Sequence, residues 1–283
     1  MQDQVHLATP HSQRARDETR LDLRALSRTH WQVAQAALIF FIIGYLIWRG
    51  AQAMEYDWQW YRVKPFFYRV IDGEIILGPL IKGLIQTLEL AAIAGVLAIS
   101  IGFTTAFARL SHSIAGRIIA KWYLESIRNT PLLVQLFLFY FVLAPILGID
   151  RFWAGVLSLA FFEGSFAAEI IRGGIVGVDK GQYEGADAMG LNAMDKYRFI
   201  VIPQSLPLIL PPLTGLVISL IKHSAIVSVI AVSELTTAGL NLIADTFMAF
   251  EVWFLVAGIY LAVTITLSIG VSLFERSLNK GKR

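Results

Sequence analysis

Six long stretches of this chain run almost without charge, and that pattern limits the architecture before any motif is considered. They cover residues 31–48, 84–108, 130–149, 152–171, 205–221 and 252–273, interrupted only by Glu89, Glu163 and Glu169. A bilayer core about 30 Å thick is crossed by about 20 apolar residues in a helix. Helices alone close all their backbone hydrogen bonds within one such segment. The spacing therefore predicts an all-α polytopic membrane protein with six spans. The fifth stretch continues past Lys222 and His223 to Ser233.

The basic residues fall into register with that count. Arg14, Arg16, Arg20, Arg24 and Arg28 precede the first span, and Arg109, Arg117, Lys121 and Arg128 follow the second. Arg172, Lys180, Lys196 and Arg198 sit between the fourth and fifth spans, and Arg276, Lys280, Lys282 and Arg283 follow the sixth. Lys and Arg mark cytoplasmic loops, so both termini are expected inside, with residues 1–30 and 276–283 as cytoplasmic tails. The Asp150-Arg151 turn and residues 234–251, carrying Glu234, Asp245 and Glu251, are expected outside. The exception is 49–82, where Arg49, Arg62, Lys64 and Arg69 meet Glu55, Asp57, Asp72 and Glu74. Its aromatics, Tyr56, Trp58, Trp60, Tyr61, Phe66, Phe67 and Tyr68, fit either a segment on the membrane surface or a small packed extramembrane hairpin.

Several chemistries are excluded. There is no cysteine, hence no disulfide, thiolate metal site or Cys nucleophile. No G-x-x-x-x-G-K-[ST] loop is present to cradle a nucleotide, and no H-E-x-x-H. His6, His11, His30, His112 and His223 are scattered. The net charge of +3 lies beside apolar runs and not on one basic face, which excludes nucleic acid as a partner. What remains is movement of a solute or a structural role in the membrane.

One polar island interrupts the apolar pattern, residues 184–203, EGADAMGLNAMDKYRFIVIP. Ala and Met favour a short helix over 184–194, while Gly185 and Gly190 each cost about 1 kcal/mol in a helix and leave room for another backbone. Pro203 and Pro207 punctuate the run. On these grounds the island is either a docking element or an ordinary polar loop.

The island resembles the EAA signature of bacterial ABC-importer permeases, Glu-Ala-Ala, three residues, Gly, nine residues, Ile-x-Leu-Pro. Glu184, Ala186, Gly190, Ile200 and Pro203 fall in register, with Gly185 and Ile202 as departures. Four further stretches are similar to the polar amino-acid branch of that family, the histidine, glutamine and glutamate importers. They are residues 83–88 (GLIQTL), 128–135 (RNTPLLVQ), 168–175 (AEIIRGGI) and the run from Lys222 to Glu234-Leu235. The resemblance implies a type I importer transmembrane fold, with a five-helix core at 83–275 and an added N-terminal helix at 31–48. It implies a coupling helix at 184–195, with Glu184, Gly185, Ala186, Met189, Gly190 and Pro203 at the ATPase-docking surface. It further implies two ATP-binding subunits that hold ATP and Mg, a second permease copy or homologue, and a periplasmic or surface-tethered amino-acid-binding protein. The chain itself would need no cofactor or metal, would catalyse nothing alone, and would pass an amino acid through a bacterial inner membrane. Departing from many family members, residues 215–216 are Gly-Leu and not Asn-Glu.

Ionisable and polar groups inside spans are candidates for the substrate pathway, because their insertion costs several kcal/mol. Glu163 could meet a substrate ammonium, pair with Lys222 or face a partner subunit. Ser165, Thr130, Gln135, Thr214 and Ser219 complete the set, with Gly215 leaving space near the last two. Glu169 and Arg172, three apart, suit a salt bridge. Pro131 suits a helix start, and Pro207, Pro211 and Pro212 suggest a broken entrance to the fifth span. Two other readings stay open: an ion-coupled secondary amino-acid carrier, which needs paired midplane acids and inverted repeats, and a membrane scaffold, which leaves the island unexplained.

Overall fold

The computed structural model describes residues 10–54 and 56–280, with side chains over 31–54 and 56–273. The expectations for residues 1–9, Glu55, Lys282 and Arg283, and for the tail side chains, lie outside the described residues. Two units are distinct, residues 1–58 and 59–283. In the first, α1 (Pro10–Ala53) is one helix, and its apolar part Trp31–Ala53 is long enough to cross a membrane. The Arg-punctuated residues before it, expected as a tail, are helical from Pro10 onward.

The second unit opens on the aromatic segment, which folds as a hairpin. After a 3-10 turn and α2 (Lys64–Phe67), β1 (Tyr68–Ile71) pairs antiparallel with β2 (Glu74–Leu77). Asp72 and Gly73 both take positive φ, 52° and 80°, the two-residue turn whose twist matches antiparallel strands. Phe66 of α2 is buried with Leu80, Leu235, Met248 and Val252, which anchors the segment, while all residues of the two strands are exposed.

The core is organised by α3 (Pro79–Leu110) and α7 (Arg151–Val176). α3 buries Ala91, Ala94, Gly95, Ala98, Gly102 and Ala106, while α7 buries Ala154, Ser158, Ala160, Gly164, Ala167 and Ala168. Lipid tails are as apolar as Leu, so membrane helices gain affinity by close packing of small residues. A Cβ at Gly102 would stand 2.6 Å from the Ala167 Cβ. Larger side chains then fill the space around this seam, with Leu90, Leu136, Val156, Leu159, Leu220 and Val227 in one cluster.

Residues 114–128, expected as a loop, form α4 (Ile114–Arg128), capped by the Ser113 hydroxyl accepting from the Gly116 amide. The third apolar run follows as α5 (Leu132–Phe137), a π turn and α6 (Ala144–Leu147), bent by 107° from α4. Pro131 causes the break, because it lacks a donor and pushes Thr130 out of helix. Gln135 then closes the corner, its Nε2 donating to the carbonyls of Ile127 (2.7 Å) and Thr130 (2.8 Å).

Beyond α7 come α8 (Lys180–Ala188), α9 (Ala193–Asp195) and α10 (Ile202–His223). The expected break at the prolines is absent. A π segment, Lys196–Val201, leads into α10 with Pro203 in its first turn, and the helix continues through Pro207, Pro211 and Pro212. A missing N–H is costless in a first turn, which explains Pro203, and the hydroxyls of Ser205 and Thr214 donate to the carbonyls of Ile202 and Pro211 in the preceding turn. A 3-10 stretch then leads to α11 (Leu235–Thr246), where a loop was expected, and to α12 (Ala249–Lys280). Among the described residues, five helices are long and apolar enough to span, or six if the bent α4–α5–α6 pair counts as one.

Glu234, fully buried, starts α11. Its carboxylate accepts from the amides of Thr236 (2.7 Å) and Thr237 (2.6 Å) and from the hydroxyl of Tyr260 (2.9 Å). Burial pushes this carboxyl above its ordinary value, against the pull of those donors.

The α3–α7 seam can be tested by Gly102→Leu, which must force the helices apart and cost about 3 kcal/mol or more. Thermal unfolding of the purified chain should show a large drop for this variant. Gly173→Leu, where nothing lies within 4 Å of the added Cβ, should leave the midpoint near that of the parent.

Candidate functional site

The polar island folds into a knob between α7 and α10. The Asp179 side chain accepts from the Gly181 amide (2.8 Å) and starts α8. Ala186 faces inward and is buried, and the Tyr183 hydroxyl donates to the Ile175 carbonyl at the end of α7 (2.8 Å). Burial, with Tyr197 beside it, pushes the Tyr183 hydroxyl above its ordinary value and keeps it a donor. On the other side, Gln204 Nε2 of α10 donates to Gln182 Oε1 (2.9 Å), and Lys196 pairs with Asp187.

The helix starts four residues before the expected 184–195 and stops at residue 188. Gly190 takes φ 71°. Its amide donates to the Asp187 carbonyl (2.9 Å), and the Leu191 amide donates to the Ala186 carbonyl (3.1 Å). This double bond pattern is the Schellman closure, which wants glycine at the left-handed position. Gly190 is thus required by backbone geometry first, and it leaves open space as well. Asn192 restarts the chain, its Oδ1 accepting from the Asp195 amide (2.9 Å).

What the knob presents outward is mixed. Glu184 and Gly185 are exposed, and Met189, Met194 and Phe199 are 68%, 75% and 61% exposed. Met194 and Phe199 were not singled out by the sequence, because only the fold shows that they are exposed. Three exposed apolar side chains on an otherwise polar element suit a protein partner, and methionine adapts readily to another surface.

The candidate pathway residues lie on α5, α7 and α10, with Thr130 in the break before α5. Glu163 on α7 is buried and pairs with His223 of α10, Oε1 to Nδ1 at 2.5 Å, and not with Lys222, which is exposed. His223 is 45% exposed at its side chain. Ser165 is buried, its hydroxyl donating to the Phe162 carbonyl (2.7 Å). Thr130 donates to the Ser126 carbonyl (2.8 Å) and Thr214 to the Pro211 carbonyl (2.7 Å). Gln135 is held at the α4 corner, and Ser219 lies half-buried on α10. The structure therefore joins Gln135 to the Thr130 carbonyl and Glu163 to His223, while the hydroxyls of Ser165, Thr130 and Thr214 bind their own helical runs.

At the end of α7, Glu169 receives Arg172 through Nε (3.1 Å) and Nη2 (2.9 Å). Arg109 of α3 also pairs with it, and Arg128 of α4 stands at 3.9 Å. The expected Glu169–Arg172 bridge is present, enlarged into a network across three helices. Among the described residues, no group of three His, Asp or Glu comes together to hold a metal.

With this geometry in view, the similarities become informative. Residues 98–280 match the family described as binding-protein-dependent transport system inner membrane component. The glutamine transport system permease protein GlnP of Escherichia coli K12 is 35% identical over 202 residues, covering 70% of this chain and 92% of that protein. The probable glutamine ABC transporter permease protein GlnM of Bacillus subtilis is 40% identical over 159 residues, covering 56% of this chain and 74% of that protein. A crystal structure of an amino acid ABC transporter with histidines superposes at a TM-score of 0.66 and 40% identity, covering 70% of this chain and 94% of that one. The inward-facing MetNI methionine ABC transporter superposes at 0.62 with 18% identity, a likeness of fold alone.

The Glu163–His223 pair can be measured by a double-mutant cycle. His223→Leu leaves a buried carboxylate without its partner and should lower stability by about 2 kcal/mol or more, with part of that loss absent in a Glu163→Gln background. Melting midpoints that add within about 0.5 kcal/mol would mean the two side chains do not interact.

Proposed function

This chain belongs to the family of binding-protein-dependent transport system inner membrane components, and from that premise we propose how it carries an amino acid through the membrane. It is the transmembrane subunit of an amino-acid ABC importer, without an ATPase site of its own. The substrate is a polar, zwitterionic amino acid of the glutamine type, by analogy with the similar permeases. Two copies, or one copy and a homologue, enclose the path. Two ATP-binding subunits holding ATP and Mg sit on the cytoplasmic side, where the basic loops and both termini lie. A periplasmic or surface-tethered binding protein delivers substrate at the other face.

The observation that carries this reading is the knob at 180–199. It is a short capped helix, tied by hydrogen bonds to α7 and α10, with Met189, Met194 and Phe199 exposed. A groove on an ATPase subunit would receive α8 around Glu184, Gly185 and Met189, with Ala186 and the Gly190 turn holding its shape and Pro203 fixing the exit. Nucleotide binding draws the two ATPase subunits together, moves the knobs, and opens the path outward. Hydrolysis returns it inward. Glu163 with His223, Ser165, Thr130, Gln135, Thr214 and Ser219 are the proposed polar positions of the path, with Gly215 leaving room on α10.

The docking surface is tested by Met189→Asp combined with Met194→Asp, both at exposed positions that leave the fold intact. Copurification of the ATPase subunit and ATP-dependent uptake in vesicles should both fall about tenfold or more, the loss expected when apolar anchors of an interface are replaced by charge. If both survive, the knob is not the docking element. Accumulation of solute by the chain alone in vesicles would overturn the ATPase dependence itself.

A further inference from the structure

Two cavities adjoin along α4 and share Lys121 and Glu125. One, of about 640 Å³, is walled by Arg109, Arg117, Lys121 and Arg128 against Glu125 and Glu169, a surplus of two positive charges. The other, of about 560 Å³, opens over Ile118 and Trp122, which are 52% and 71% exposed. Neither belongs to the docking knob or to the proposed path residues.

The cations are unequally occupied. Glu169 engages Arg109 and stands near Arg128. Arg117 gives one Nη to the Ser111 carbonyl (3.2 Å), and Lys121 has no ion-pair partner among the described residues. Glu125 is turned to Asn129, whose Nδ2 donates to it at 3.1 Å. Arg117 and Lys121 are four apart, as are Ile118 and Trp122, so each pair stacks on one stripe of the helix and the two stripes are neighbours. A basic stripe beside an apolar one matches an amphiphile with an anionic head.

We propose that α4 holds one anionic phospholipid, its phosphate between Arg117 and Lys121 and an acyl chain over Ile118 and Trp122. The 107° bend at Pro131 sets α4 across the run of the following helix, as a helix at the edge of a leaflet must lie. On the sidedness proposed above, that leaflet is the cytoplasmic one; the lipid site itself does not depend on that assignment. Through Arg109, Arg128 and Glu169, the bound headgroup adjoins the network that joins α3, α4 and α7.

The test is native mass spectrometry of the full chain, purified after equilibration with equal amounts of phosphatidylglycerol and phosphatidylcholine. The parent should retain one phosphatidylglycerol. Arg117→Gln with Lys121→Gln should lower that preference by about tenfold or more, and Trp122→Ala should weaken it several-fold. Arg117→Lys with Lys121→Arg keeps the charge and should keep the lipid. Melting midpoints of all variants identify any that fail to fold. Unchanged retention in the doubly neutralised chain overturns the proposal. Glycerol phosphate supplies the same phosphate without chains: if it displaces the lipid and binds Trp122→Ala as well as the parent, the ligand is a soluble phosphate and the lipid assignment fails. The chain has no cysteine, so Trp122→Cys is a clean reporter. A disulfide between two copies in membranes would mean that protein covers this face, and it too would overturn the proposal. None of these readouts uses transport or ATPase association, so they stand apart from the function proposed above.

Discussion

The close approach of α3 and α7 is the constraint on which the rest of the bundle depends. In water, two helices are pressed together by the removal of apolar surface; in a bilayer, that force is nearly absent between helices. The Gly102–Ala167 contact, with alanines on both faces, substitutes geometry for hydrophobicity by letting backbones come close enough for dispersion to accumulate. Once that seam is set, the larger residues of α5 and α10 have one place to pack, around Leu90, Val156 and Leu159.

Polar contacts then fix what packing leaves free. Glu169 ties the end of the seam, drawing Arg109, Arg172 and Arg128 to one carboxylate. These groups are partly exposed, so each pair contributes about 1 kcal/mol at most. Their effect is one of direction, because two nitrogens of the Arg172 guanidinium converge on one oxygen of Glu169 and allow few orientations. At the opposite end, Glu234 binds the α11 amides and Tyr260 of α12, which joins the last two helices in the same manner.

Much of this was legible in the sequence, for reasons that separate cleanly from those that hid the remainder. The spans were readable because a 30 Å apolar layer demands length and lack of charge, and both can be counted. The Glu169–Arg172 bridge was readable because helical spacing is local. Glu163 was visible as a costly charge, but its partner was not, since His223 lies 60 residues away and only the α7–α10 packing brings it near. The helix at 114–128 was hidden by its own amphipathicity, its charges reading as a loop between spans. The hairpin carried an overlooked signal, Asp72-Gly73 between Val70-Ile71 and Glu74-Ile75-Ile76. The helix expected at 184–195 ends early, at Ala188, because Gly190 was read as a helical glycine when its positive φ closes the helix.

The knob is bound on one side to the end of α7 through Tyr183 and on the other to α10 through Gln182 and Gln204. Further along, the same two helices are bridged again by Glu163 and His223. On the docking proposed above, a push delivered at α8 would be shared by both spans at once, as a handle fixed at two points turns a door without flexing it. On that docking, the acid–imidazole contact and the α3–α7 seam would move together with the two spans.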